Sequence, residues 1–190
     1  MIEKSKWEKI HFHFSDRIEL IESISPDIDT KWSYYETDII DNSSKLIYCN
    51  GDALKLDTIP AIGFIDRCTH WPCYEIILYE KDSARITIST PEDFSAFIGT
   101  IDNIGEAILY LESKTDLDYV FYNWDEKLKL SFVEYKQSRK YIYIKSSFCP
   151  LSDQYSSLDD SLNVEEDKQK DYFELRIERK SKKVKIKKIE

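Results

Sequence analysis

The stretch Cys68-Thr69-His70-Trp71-Pro72-Cys73 gathers the most reactive side chains of the chain into six residues. Two thiolates and an imidazole are three of the four ligands a tetrahedral zinc site needs, and Cys49 or Cys149 could close the set. The C-x4-C spacing is at the wide end for zinc, and no second close pair accompanies it. The same residues would also suit a thiol nucleophile, with Cys68 or Cys73 activated by His70, because a thiol needs a nearby base or positive field to ionise at neutral pH. The plainer reading, and the expectation here, is loop cysteines buried as small apolar groups or joined in a disulfide. Four cysteines allow three pairings, and any pairing would indicate an oxidising compartment.

His11 and His13 lie two apart in an alternating segment, so both project from one strand face, where paired imidazoles can begin a metal site. The expectation is that Ile10, Phe12 and Phe14 face the core and the histidines face water. Two other groups suit a partner surface. One is the acidic run from Pro150 to Asp171, with Asp153, Asp159, Asp160, Glu165 and Glu166. The other is aromatic: Trp32, Tyr34 and Tyr35, with a second cluster from Tyr119 to Trp124, combining large apolar area with polar tips. The same aromatics would equally serve as sheet residues.

Several activities lack their residues. The chain contains no G-x-G-x-x-G, no G-x-x-x-x-G-K-S/T, no G-x-S-x-G and no H-E-x-x-H, and its four glycines leave no phosphate-cradling loop. Carboxylates number 36, too many for neighbouring pairs to mark an acid/base site.

Charge is uneven along the 190 residues. The net charge is −9, yet residues 171 to 190 carry eight Lys and Arg against four acids. The remaining 170 residues therefore hold −13, an acidic body that repels nucleic acid and anionic lipid and attracts basic partners. Within the basic tail, Lys183, Lys185 and Lys187 would form a row on one strand face, the single surface suited to phosphates. No apolar run reaches 18 residues and the N-terminus lacks a secretory h-region, which points to a cytoplasmic chain that does not span a membrane.

The elements that must position these residues are mostly strands. Alternating or β-branched runs predict strands near Ile10 to Phe14, Leu46 to Cys49, Tyr119 to Asn123 and Leu128 to Tyr135. Two hairpins are expected, Tyr74 to Glu80 with Arg85 to Ser89, and Leu128 to Tyr135 with Tyr141 to Ser147. A C-terminal hairpin centred on Lys180-Ser181 would set Glu178 opposite Lys183, Ile177 opposite Val184, Leu175 opposite Ile186 and Glu174 opposite Lys187. Three helices are expected. One starts at the Thr90-Pro91-Glu92-Asp93 cap and stops at Gly99, one starts near Asn103 with Glu106 as capping partner, and one spans Asp16 to Ser25.

This pattern predicts a single α+β domain over residues 1–190. Its sheet is mainly antiparallel, two to three helices pack on one face, a β-hairpin ends the chain, and residues 150–171 form a mobile acidic loop. The expected function is non-enzymatic binding of another protein with a basic surface, for example as an inhibitor or immunity-type protein acting on a toxin or nuclease. No cofactor is expected and nucleic acid is disfavoured. The alternative is a thiol- or metal-dependent enzyme centred on Cys68, His70 and Cys73.

Overall fold

Runs rich in Ile, Tyr, Thr and Val favour extended backbone, and eleven of them become strands in the computed structural model, which describes residues 6–13, 17–66, 73–114, 123–146 and 172–189. The strands are β1 (Glu8–Phe12), β2 (Trp32–Asp38), β3 (Ser43–Asn50), β4 (Ile65–Asp66), β5 (Cys73–Lys81) and β6 (Ala84–Ile88), followed by β7 (Asn123–Asp125), β8 (Leu130–Gln137), β9 (Tyr141–Ser146), β10 (Tyr172–Glu178) and β11 (Val184–Ile189). They form two antiparallel sheets instead of the one the sequence suggested. A five-stranded sheet runs β3-β2-β5, with β4 and β6 sharing the far edge of β5. A six-stranded sheet runs β1-β8-β9-β10-β11, and β7 pairs with the first half of β8.

Local chemistry sets the hairpins. Asp82 and Ser83 both take positive φ (49° and 66°), so the β5–β6 turn has the twist that matches paired strands. The C-terminal hairpin has the register expected from its alternation: Glu174 faces Lys187, Leu175 faces Ile186 and Ile177 faces Val184. The segment from Tyr119 to Tyr122 and the run from Pro150 to Asp171 lie outside the described residues.

Helix α1 (Ile18–Ile21) covers four residues where the sequence suggested ten. Arg17 holds a left-handed backbone (φ 46°), which blocks an earlier start. At the other end the Ser23 hydroxyl donates to the Leu20 carbonyl at 2.6 Å. Helix α2 (Pro91–Ile98) starts as expected, with Thr90 Oγ1 accepting from the Asp93 N–H at 3.2 Å. Helix α3 (Ile104–Lys114) is capped by Asn103, whose Oδ1 accepts from the Glu106 N–H at 2.9 Å.

Every residue of α3 from Ile104 to Ser113 is buried, so this helix has no water-facing side. A helix covered all round must have neighbours on all sides. Those neighbours include both sheets: one core cluster joins Trp32, Tyr34 and Ile77 of the first sheet to Val133, Ile142, Leu175 and Ile177 of the second through Phe94, Ile98, Ala107 and Ile108. The helices therefore fill the space between two sheets. Aromatic contacts lock this layer, with Phe64 stacked on Phe94 at 4.5 Å and the Trp32 ring edge-on to Phe97 at 6.3 Å. A smaller cluster (Tyr35, Leu54, Ile76, Leu78) covers the opposite face of the first sheet. Among the described residues no helix is long and apolar enough to cross a membrane.

Close approach of α1 to α3 depends on Gly105. A Cβ there would overlap Ser23 Oγ and meet the Leu20 carbonyl oxygen at 3.1 Å. Replacing glycine by alanine within a helix ordinarily stabilises. Gly105→Ala is expected to do the reverse, lowering the unfolding free energy by about 1–3 kcal/mol in urea denaturation. An unchanged or raised midpoint would contradict this packing.

Candidate functional site

The residues best equipped for acid/base chemistry meet in the interior. Arg17, immediately before α1, Glu75 on β5, Glu112 near the end of α3 and Tyr34 on β2 are each at most 5% exposed. Arg17 Nη1 donates to Glu112 Oε2, Arg17 Nη2 donates to Glu75 Oε2, and the Tyr34 hydroxyl donates to that same Glu75 oxygen. Burial alone would lower the pKa of Arg17, but the two carboxylates outweigh it and hold the guanidinium above its ordinary value. Burial, reinforced by the Glu75 charge, raises Tyr34 well above the ordinary phenol range. The cluster is closed to solvent. Its chemistry is that of a clasp, joining the approach to α1, two strands of the first sheet and the end of α3.

Sequence reasoning missed this clasp. Its charged members, Arg17, Glu75 and Glu112, are successively 58 and 37 positions apart, and the available signal was a single charge inside an otherwise apolar run: Glu75 beside Ile76-Ile77-Leu78, and Glu112 after Ile108-Leu109-Tyr110-Leu111. A charge in such a position is tolerated only when a partner reaches it.

A third buried carboxylate ties the start of α3 to the loop after α1. Glu106 accepts from the backbone N–H groups of Asp102 at 2.6 Å and Ser25 at 2.7 Å. Burial pushes its pKa up to about 7, against the pull of these backbone donors.

The residues singled out by sequence are not brought together. Trp32, Tyr34 and Tyr35 lie on β2, between β3 and β5, and are 1%, 0% and 7% exposed. Both faces of β2 are covered, so these side chains are core residues and do not line the outer surface. Asp153, Asp159, Asp160, Glu165 and Glu166 lie outside the described residues, as do Cys68, His70 and Cys149. Cys73 opens β5 half-buried, opposite Asp38, and Cys49 sits on β3 opposite Ser33. Phe12 enters the core while His13 is exposed, the alternation expected of β1. His11 Nε2 lies 3.3 Å from Asp125 Oδ2. The Asp125 carboxyl is held below its usual range by the Leu128 N–H, then by His11 and the Lys127 N–H. Among the described residues no three His, Cys, Asp or Glu side chains are grouped to hold a metal.

An open cleft of about 690 Å³ lies where the hairpin turns of the second sheet meet the link between α2 and α3. Arg179 crosses it, donating to the carbonyls of Ser138 (3.0 Å), Ile101 (2.9 Å) and Asp102 (2.5 Å) and to Gln137 Oε1 (2.9 Å). With its donors so engaged, this guanidinium joins sheet to helices.

Charge is divided between the layers. Among the described residues, the segments carrying the six-stranded sheet (6–13, 123–146, 172–189) hold sixteen Lys and Arg against six acids. The segments carrying the five-stranded sheet (32–66, 73–88) hold four against nine. Among the described residues, acids therefore predominate on the segments of the first sheet and cations on those of the second.

Two measurements test the buried carboxylates. Arg17→Met removes a cation that both buried carboxylates meet and is expected to cost about 3–5 kcal/mol of stability in denaturant titration, whereas Arg17→Met/Glu75→Gln/Glu112→Gln recovers part of that loss. For Glu106, the folded-state pKa is above the unfolded one. Its contribution to stability is therefore complete below about pH 4.5 and is lost as pH rises through about 7. Unfolding free energy in the wild type should fall across that window, and Glu106→Gln should flatten the slope.

The chain matches no protein-family model, no curated protein and no solved structure.

Proposed function

We propose that this chain is a non-enzymatic, cytoplasmic protein-binding protein that docks a partner with a basic surface, as an inhibitor or immunity-type protein would. The observation that supports it is the acidic side of the fold. The segments carrying the five-stranded sheet hold eight carboxylates outside the core against four basic residues, and the outer strand β3 is an edge with a single charge, Lys45. Leu46 on that strand and Ile40 just before it are 40% and 56% exposed. An edge strand with few charges and exposed apolar groups can pair with a partner strand, and surrounding carboxylates speed and orient the encounter. The sequence adds Asp153, Asp159, Asp160, Glu165 and Glu166 to the acidic total.

Protein purified from its own source should carry a basic partner, visible by native mass spectrometry. The association rate should fall by about tenfold or more between about 50 and 200 mM salt. Asp159→Asn/Asp160→Asn/Glu165→Gln/Glu166→Gln should weaken it further, and Leu46→Asp should disrupt it. A partner indifferent to salt and to both variants would overturn the reading.

A further inference from the structure

The outward face of the six-stranded sheet is organised in cross-strand rows. In one row Lys9, Glu134, Lys145, Glu174 and Lys187 follow one another across β1, β8, β9, β10 and β11. In the next, Lys136, Tyr143, Arg176 and Lys185 do the same from β8 to β11. Cations and rings interleave: Lys136 Nζ lies 4.6 Å from the ring centres of both Trp7 and Tyr143, and Arg176 lies 4.9 Å from that of Tyr141.

The carboxylates of this face are already engaged. Glu134 pairs with Lys145 at 3.0 Å and Lys9 at 3.6 Å, Glu174 with Lys136 at 2.9 Å, and Glu178 with Lys140 at 3.0 Å. Glu174 and Glu178 face Lys187 and Lys183 in the register, yet they turn inward to these other lysines. Lys183, Lys185 and Lys187 are left exposed, with no ion pair among the described residues. Along an antiparallel strand, alternate residues repeat at about 7 Å, so the three lysines form a row along the sheet edge.

We propose that this face binds single-stranded nucleic acid, with phosphates along the β11 lysines and bases reaching the planar guanidinium of Arg176 and the rings beside it. A cationic rail bordering exposed edges of planar side chains can hold a single strand without reading its sequence. Lysines on an edge strand also discourage strand pairing, but that role does not account for the cations and rings continuing inward as far as Trp7. Among the described residues, the acidic five-stranded sheet does not oppose binding here. Sheets on opposite sides of a helix layer are about 20 Å apart, and screening at physiological salt acts over about 8 Å.

The test is fluorescence anisotropy of the full-length chain with labelled oligo-dT and oligo-U of about 20 nucleotides, titrated with salt. Binding should weaken with a log–log salt slope of about −2, for three neutralised phosphates. Lys183→Glu/Lys185→Glu/Lys187→Glu should reduce affinity at least about a hundredfold at low salt, and Lys183→Gln/Lys185→Gln/Lys187→Gln should remove most of the slope; circular dichroism checks that both remain folded. No binding by the wild type, or undiminished binding by both variants, overturns the proposal. Equal binding of polyglutamate of matched charge also overturns it, assigning the face to an acidic protein.

Discussion

The guanidinium of Arg17 between Glu75 and Glu112 is the contact on which the rest of the arrangement depends. Among the described residues one guanidinium meets both carboxylates, and the Tyr34 hydroxyl donates to Glu75 as well. Burying ions is unfavourable unless each finds its partners, so these groups can be inside only when α1, the first sheet and α3 are all in place. The left-handed backbone at Arg17 belongs to the same constraint. It turns the chain between β1, in the second sheet, and α1, against the helix layer, and it limits α1 to little more than one turn.

The second determinant is a helix without an outer face. Because α3 is apolar or hydrogen-bonded on every side, it can serve as common core for two sheets, each with one apolar and one polar face. The strand alternation then divides the molecule. Ile142, Ile144, Leu175 and Ile177 go inward, and the residues between them, Tyr141, Tyr143, Lys145, Glu174 and Arg176, go outward. The charge asymmetry between the sheets follows from which residues alternate with the apolar ones.

That division explains why the surfaces suited to recognition are sheet faces and edges. The buried acids that would attract attention as catalysts are sealed by the packing that requires them. Among the described residues, what reaches solvent is an acidic sheet with a lightly charged β3 edge, and a basic sheet whose carboxylates pair with neighbouring lysines. The two sides suit partners of opposite charge.

Much of the fold was legible in order along the chain because its signals are local. The Thr90 cap, the stop at Gly99, the β5–β6 turn and the register of the C-terminal hairpin each depend on residues within about ten positions, where side-chain chemistry and strand period dictate geometry. The burial of Phe12 and the exposure of His13 followed from alternation, whereas His11 is half-buried against Asp125 and Phe132, and Phe14 lies outside the described residues. Contacts between distant segments were not legible. Alternation shows that a strand has an apolar face but not which sheet it joins, so two sheets read as one. Trp32, Tyr34 and Tyr35 have the composition of a contact surface, and only the covering of both faces of β2 made them core. Net charge is a sum along the chain, whereas a partner meets its distribution in space, and pairing between strands decided which of the described acids and lysines share a sheet.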